Sequence, residues 1–168
     1  MSRIVWISAA TLALLLGATG VSLATQGPAN NASPLVLNLL SRATAINDFV
    51  DTGSAGPSPG DLYVFTDRLF LASAPDVQVG TTDGRCALID PVTFKADCSF
   101  TNVLTGAGGL DAGDVLGAGS LSLVPGTTST VAIVGGTGPY RVARGDATVD
   151  LGPPEGPHKL TVNLVLNP

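Results

Sequence analysis

Asp67 is the residue of this 168-residue chain best placed to do chemistry. It lies in the run LYVFTDRLFL, Leu62 to Leu71. Alternation there puts Tyr63, Phe65, Asp67, Leu69 and Leu71 on one face and Leu62, Val64, Thr66, Arg68 and Phe70 on the other. A carboxylate among such neighbours must be ion-paired, hydrogen-bonded or protonated. It then serves either as a general acid or orienting hydrogen bond for a ligand held against Tyr63 and Phe65, or as a structural ion pair with Arg144 or Arg141. Arg144 carries the same choice. Its fork of donors suits a ligand oxygen or an enolate, and suits equally well an anchor from a glycine-rich loop to Asp146. Tyr140 either donates its hydroxyl to a ligand or is core at a loop end.

Other constellations are weaker. Among the glycines from 135 to 138, Gly136 and Gly138 match the first two of a dinucleotide fingerprint but the third is missing, and no Gly-Lys-Ser/Thr follows, so a turn between strands is expected. Asp111 and Asp114 lack the spacing of a calcium loop. His158, after a proline-rich turn, is expected in solvent. With one His and two Cys in the chain, no metal site is expected. No Ser-His-Asp nucleophile elbow is present.

The elements that must position these residues read as strands. Runs occur at Val36–Phe49, Leu62–Leu71, Asp76–Thr82, Cys86–Asp90, Ala96–Leu104, Val115–Leu123, Thr130–Val134, Ala147–Leu151 and Lys159–Leu166. The two runs flanking Asp83-Gly84 read as one bent strand, which leaves eight. Glycine- and proline-rich breakers separate them, so a barrel or sandwich is expected. A hairpin that opposes Cys86 to Cys98 also opposes Leu88 to Ala96 and residue 90 to residue 94, around a turn at Pro91-Val92-Thr93. That register puts Cys86, Leu88, Ala96, Cys98 and Phe100 on one face and predicts a Cys86–Cys98 disulfide.

Arg3, the apolar run Ile4 to Leu16 and the small residues Ser22 and Ala24 read as an export signal over residues 1–24. A flexible lead-in over 25–35 and one domain over 36–168 are expected to follow. The expected location is therefore secreted, periplasmic or in the cell envelope, with no stable membrane insertion after cleavage; the alternative is an uncleaved membrane anchor over Ile4 to Ala24. The chain has 8 Lys+Arg against 13 Asp+Glu, a formal net charge of −5. That balance argues against nucleic acid as a partner.

Two longer motifs resemble a known family. GDLYVFTDRLF, Gly60 to Phe70, and IVGGTGPYRVARG, Ile133 to Gly145, resemble segments of allene oxide cyclases and plant dirigent proteins. Similarity runs from about Ala43 to Leu166. The resemblance implies an all-β, single antiparallel eight-stranded barrel with an apolar lumen, a homotrimer, no cofactor, and a small hydrophobic molecule as partner. It places Asp67 on the acid of the dirigent His-Asp step, Cys86 on a cyclase active-site cysteine, and Tyr140 and Arg144 on matched dirigent positions. Asn47, in Ala45-Ile46-Asn47, becomes a lumen polar group; the Glu that precedes this step in plant cyclases is absent here. The implied function is a cofactor-free cyclase or isomerase, or a stereo-directing protein. The alternatives are a non-catalytic binder of hydrophobic ligands and a structural envelope protein.

Overall fold

The computed structural model describes residues 34–153 and 156–166, so the expected export signal and most of the lead-in lie outside the described residues. Eight antiparallel strands form a closed barrel in sequence order. They are β1 (Leu35–Val50), β2 (Leu62–Leu71), β3 (Ala74–Asp90), β4 (Lys95–Thr105), β5 (Ala112–Ser122), β6 (Thr128–Gly136), β7 (Ala143–Asp150) and β8 (His158–Leu166). β1 pairs with β8 from Leu35 opposite Leu164 to Ser41 opposite His158, and this pairing closes the sheet on itself. The runs on either side of Asp83-Gly84 are indeed one strand, β3.

Alternation is the cause of this fold. β4 shows it most cleanly: Ala96, Cys98, Phe100, Asn102 and Leu104 are buried, while Lys95, Asp97, Ser99 and Val103 are exposed. Across β2 to β5 the inward residues fall into rows. The first is Tyr63–Cys86–Cys98–Gly119, and the second is Phe65–Gly84–Phe100–Gly117. Beneath them come Asp67–Thr82–Asn102–Val115 and then Leu69–Gly80–Leu104–Gly113. Two rows alternate large and absent side chains, which lets rings and leucines cross the narrow bore. A Cβ on Gly84 would lie 2.8 Å from Phe65 Cε1, and one on Gly117 would lie 2.6 Å from Phe100 Cε2.

The predicted cysteine register is present. Cys86 opposes Cys98, the two are disulfide-bonded, and Leu88 opposes Ala96. Closing so short a loop contributes about 3 kcal/mol. The turn differs by one residue: a bulge after Leu88 pairs Asp90 with Lys95, and Phe94 joins the turn at φ 50°. Asp90 fixes this longer turn, accepting hydrogen bonds from the Val92 N–H at 2.9 Å and the Thr93 hydroxyl at 2.7 Å.

The two ends of the barrel differ. The connections β2–β3, β4–β5 and β6–β7 gather at one end, with the described chain termini. There the 3-10 turn Gly138–Tyr140 carries Tyr140 to 1% exposure. Gly113 and Gly136 make room for it; a Cβ on Gly136 would lie 2.8 Å from the Tyr140 Cβ. The opposite end has the connections β1–β2, β3–β4, β5–β6 and β7–β8.

Candidate functional site

A cavity of about 80 Å³ opens at that second end. Its wall combines Tyr63, Phe65 and Phe100 with Cys86 of the disulfide, Leu121, and Val149. The Tyr63 and Phe65 rings stack with centroids 5.6 Å apart at 22°. They can do so because residues two apart on one strand share a face.

Asp67 and Thr82, both buried, line the same cavity, and Asp67 is 4% exposed. The Asp67 carboxylate is held by neutral donors. Ser41 Oγ donates to Oδ2 at 2.6 Å, and Asn47 Nδ2 donates to Oδ1 at 3.2 Å. A carboxylate accepting two hydrogen bonds keeps further lone-pair positions for a ligand.

Local backbone explains how Asn47 reaches it. Ala43 pairs with Asp67 and Asn47 with Phe65, so Thr44, Ala45 and Ile46 together stand opposite Thr66 alone. This wide bulge throws Ile46 outward, to 67% exposure, and folds Asn47 over β2. Asn47 Oδ1 then accepts the Thr66 N–H at 3.2 Å. One amide therefore stitches the bulge and orients the acid.

Burial pushes the Tyr63 phenol up from its ordinary value, and the negative charge of Asp67 adds to the rise. Tyr63 therefore stays protonated at neutral pH and can donate from the rim of the cavity.

The β1–β2 connection at this end is tied by Asp61, which is fully buried. Its carboxylate accepts the Thr52 N–H at 2.9 Å, the Ser58 N–H at 2.6 Å and the Ser58 hydroxyl at 3.0 Å. Gly60 supplies the left-handed turn before it, at φ +97°. The Gly-Asp start of GDLYVFTDRLF is thus a loop clasp at the mouth of the lumen.

Two expected site residues lie elsewhere. Arg144 is on the exposed outer face of β7, and its Nη1 donates to the Ala143 carbonyl at 2.7 Å. The inward phase of β7 belongs to Ala143, Gly145, Ala147 and Val149, so neither the lumen role nor the ion pair with Asp67 is realised. Tyr140 is core at the far end. Its hydroxyl donates to the Asp111 carbonyl at 3.3 Å, and its phenol is raised chiefly by burial and secondly by the Asp111 charge.

His158 corrects a third expectation. It is half-buried, lines the cavity, and has a buried Nδ1 without a hydrogen-bond partner. Its phase along β8, two residues before buried Leu160, was the available signal. Asn102 was also missed; it lies in the Asp67 row at 1% exposure. Among the described residues no group of three His, Cys, Asp or Glu is placed to hold a metal ion.

No protein-family model and no curated protein matches this sequence. Solved structures do. A pyocyanin demethylase is 26% identical, with a TM-score of 0.64, over 78% of this chain and 100% of that one. A pterocarpan synthase dirigent protein is 20% identical, with a TM-score of 0.59, over 78% of this chain and 84% of its own. An exo-specific intermolecular Diels-Alderase is 18% identical, with a TM-score of 0.57, over 79% and 98%. The barrel is thus of the kind shared by dirigent and allene oxide cyclase-like proteins.

Proposed function

We propose that the barrel binds a small, ring-containing, largely apolar molecule at the open end of its lumen and acts on it without a cofactor, as a cyclase, isomerase or stereo-directing protein. One observation carries this reading: the buried Asp67 carboxylate faces an aromatic cavity and is held by Ser41 and Asn47, with no cation among its hydrogen-bond partners in the described residues. A group so placed has an unfilled use, and in a low-dielectric pocket one oriented acceptor acts strongly on a ligand proton. The rest of the wall contributes shape and the exclusion of water. Neighbours named as a dirigent protein, a Diels-Alderase and a demethylase of a small molecule support the reading.

The size of the cavity favours a second reading, non-catalytic binding. At about 80 Å³ it is small beside the roughly 300–1,000 Å³ of ordinary ligand pockets. A ligand would bury one ring and leave the rest at the mouth. Export, and assembly as a homotrimer through the apolar outer wall, belong to the same proposal. Light scattering at monomer mass would count against the trimer.

The test is mass spectrometry of small molecules carried through purification, with Asp67→Asn alongside. The proposal expects a ring compound with the unaltered protein and its loss with Asp67→Asn at an unchanged elution volume. Retention by both proteins would remove Asp67 from the site. A recovered compound that is never converted would favour the binding reading.

A further inference from the structure

Asn102 is a costly residue in its place. It is 1% exposed, and neither Oδ1 nor Nδ2 has a hydrogen-bond partner among the described residues. Buried amides without partners are rare because they forfeit water and gain nothing. A leucine would satisfy the same position, as Leu104 does two residues on.

Its row gives the reason. Asp67 opposes Thr82, and Thr82 opposes Asn102. The next row toward the mouth is Phe65–Gly84–Phe100, and the next row inward is Leu69–Gly80–Leu104. Three polar side chains therefore form one shelf between two apolar layers. The cavity reaches Asp67 and Thr82, and Asn102 stands one strand beyond Thr82.

We infer that Asp67, Thr82 and Asn102 receive the polar tip of the ligand, so that a ring compound enters tip first. This rests on the ligand-binding reading above. The ring lies among Tyr63, Phe65 and Phe100, and its leading atom carries a hydroxyl, carbonyl or amino group. Asp67 accepts a hydrogen bond from a hydroxyl or amino tip, while the Asn102 amide and the Thr82 hydroxyl can each donate or accept and so also serve a carbonyl. An apolar leading edge would desolvate the shelf and return nothing to it. Sites built this way reject analogues that lack the polar group much more strongly than greasy pockets reject an added methylene.

The test compares phenol with toluene, two probes of similar size, by calorimetric titration of the full chain. Unaltered protein is expected to prefer phenol by about tenfold or more. Asn102→Leu is expected to reduce the preference to under about threefold and to raise the melting temperature, since an unpartnered amide is removed. Thr82→Val, nearly isosteric, gives the same readout if Asn102→Leu fails to fold. Equal binding of both probes to unaltered protein would overturn the shelf alone. So would a preference that survives in Asn102→Leu with a lowered melting temperature, because Asn102 would then be structural. Binding of neither probe would overturn the ligand-binding reading and the shelf with it.

Discussion

The two ends of the barrel are built by one rule and finish differently. At both, glycines on neighbouring strands clear space for a ring. Gly113 and Gly136 clear it for Tyr140, and Gly84 and Gly117 clear it for Phe65 and Phe100. At the closed end the ring arrives from a connection, the turn Gly138–Tyr140, and packs into the barrel against Gly113 and Gly136. At the open end the rings arrive from the strands themselves, and a cavity remains between them. This barrel is filled where the Tyr140 ring turns inward and keeps a cavity at the end where the connection residues Leu123 and Leu151 line the wall. The strand pattern alone does not say which end that is.

The largest effect should come from breaking the plug. Tyr140→Ala is expected to cost about 3–5 kcal/mol by leaving a void that the barrel wall cannot close. A denaturant melt checks it, and an unchanged midpoint would mean that the closed end is not core.

Filling the open end should cost less. Gly84→Ala or Gly117→Ala pushes a methyl into Phe65 or Phe100 and is expected to cost about 1–3 kcal/mol. The rings there border a cavity and can move into it. Ligand binding, measured by titration, should fall with either change.

Asp67→Asn should cost less again, about 1–2 kcal/mol, because the side-chain oxygen still accepts from Ser41. A thermal melt that drops as far as that of Tyr140→Ala would make Asp67 a structural residue and erase the contrast between the ends.

The smallest effect is on the β1–β2 clasp. The Thr52 N–H, followed by the Ser58 donors, holds the Asp61 carboxyl below the ordinary value of 3.8, against the opposing effect of burial. A depressed acid stabilises the fold fully above its unfolded value and loses that contribution as pH falls through its folded value. Melting temperature followed from pH 5 downward, over a range of roughly three units, should fall more steeply for the unaltered protein than for Asp61→Asn. Parallel curves would mean that the clasp contributes nothing.

Much of this was legible in the sequence because alternation is a period of two. Leu62–Leu71 matches β2 residue for residue, and the register of Cys86 and Cys98 followed from index sums. Asp67 was legible for the same reason. Arg144 was not. The inward residues of β7 near it are Ala143, Gly145 and Ala147, so small that the phase of the strand is invisible beside a glycine-rich turn. The Ala43–Asn47 bulge was also hidden, since a bulge breaks the period that reveals strands. Asn102 could have been found: Cys98, Phe100 and Leu104 set its phase, and a polar residue in phase with them is the signal.

The glycines of β3 and β5 make the cavity a subtraction. The space left by the side chains absent at Gly84 and Gly117 is taken by the Phe65 and Phe100 rings, and the placement of those rings sets the cavity wall. A single codon change at Gly84 or Gly117 would displace these rings and redraw the chamber. Under the proposed ligand-binding role, such a scaffold would pass from one guest to another in steps of one methyl group, with the acid at Asp67 held in place by strands that do not take part in the change.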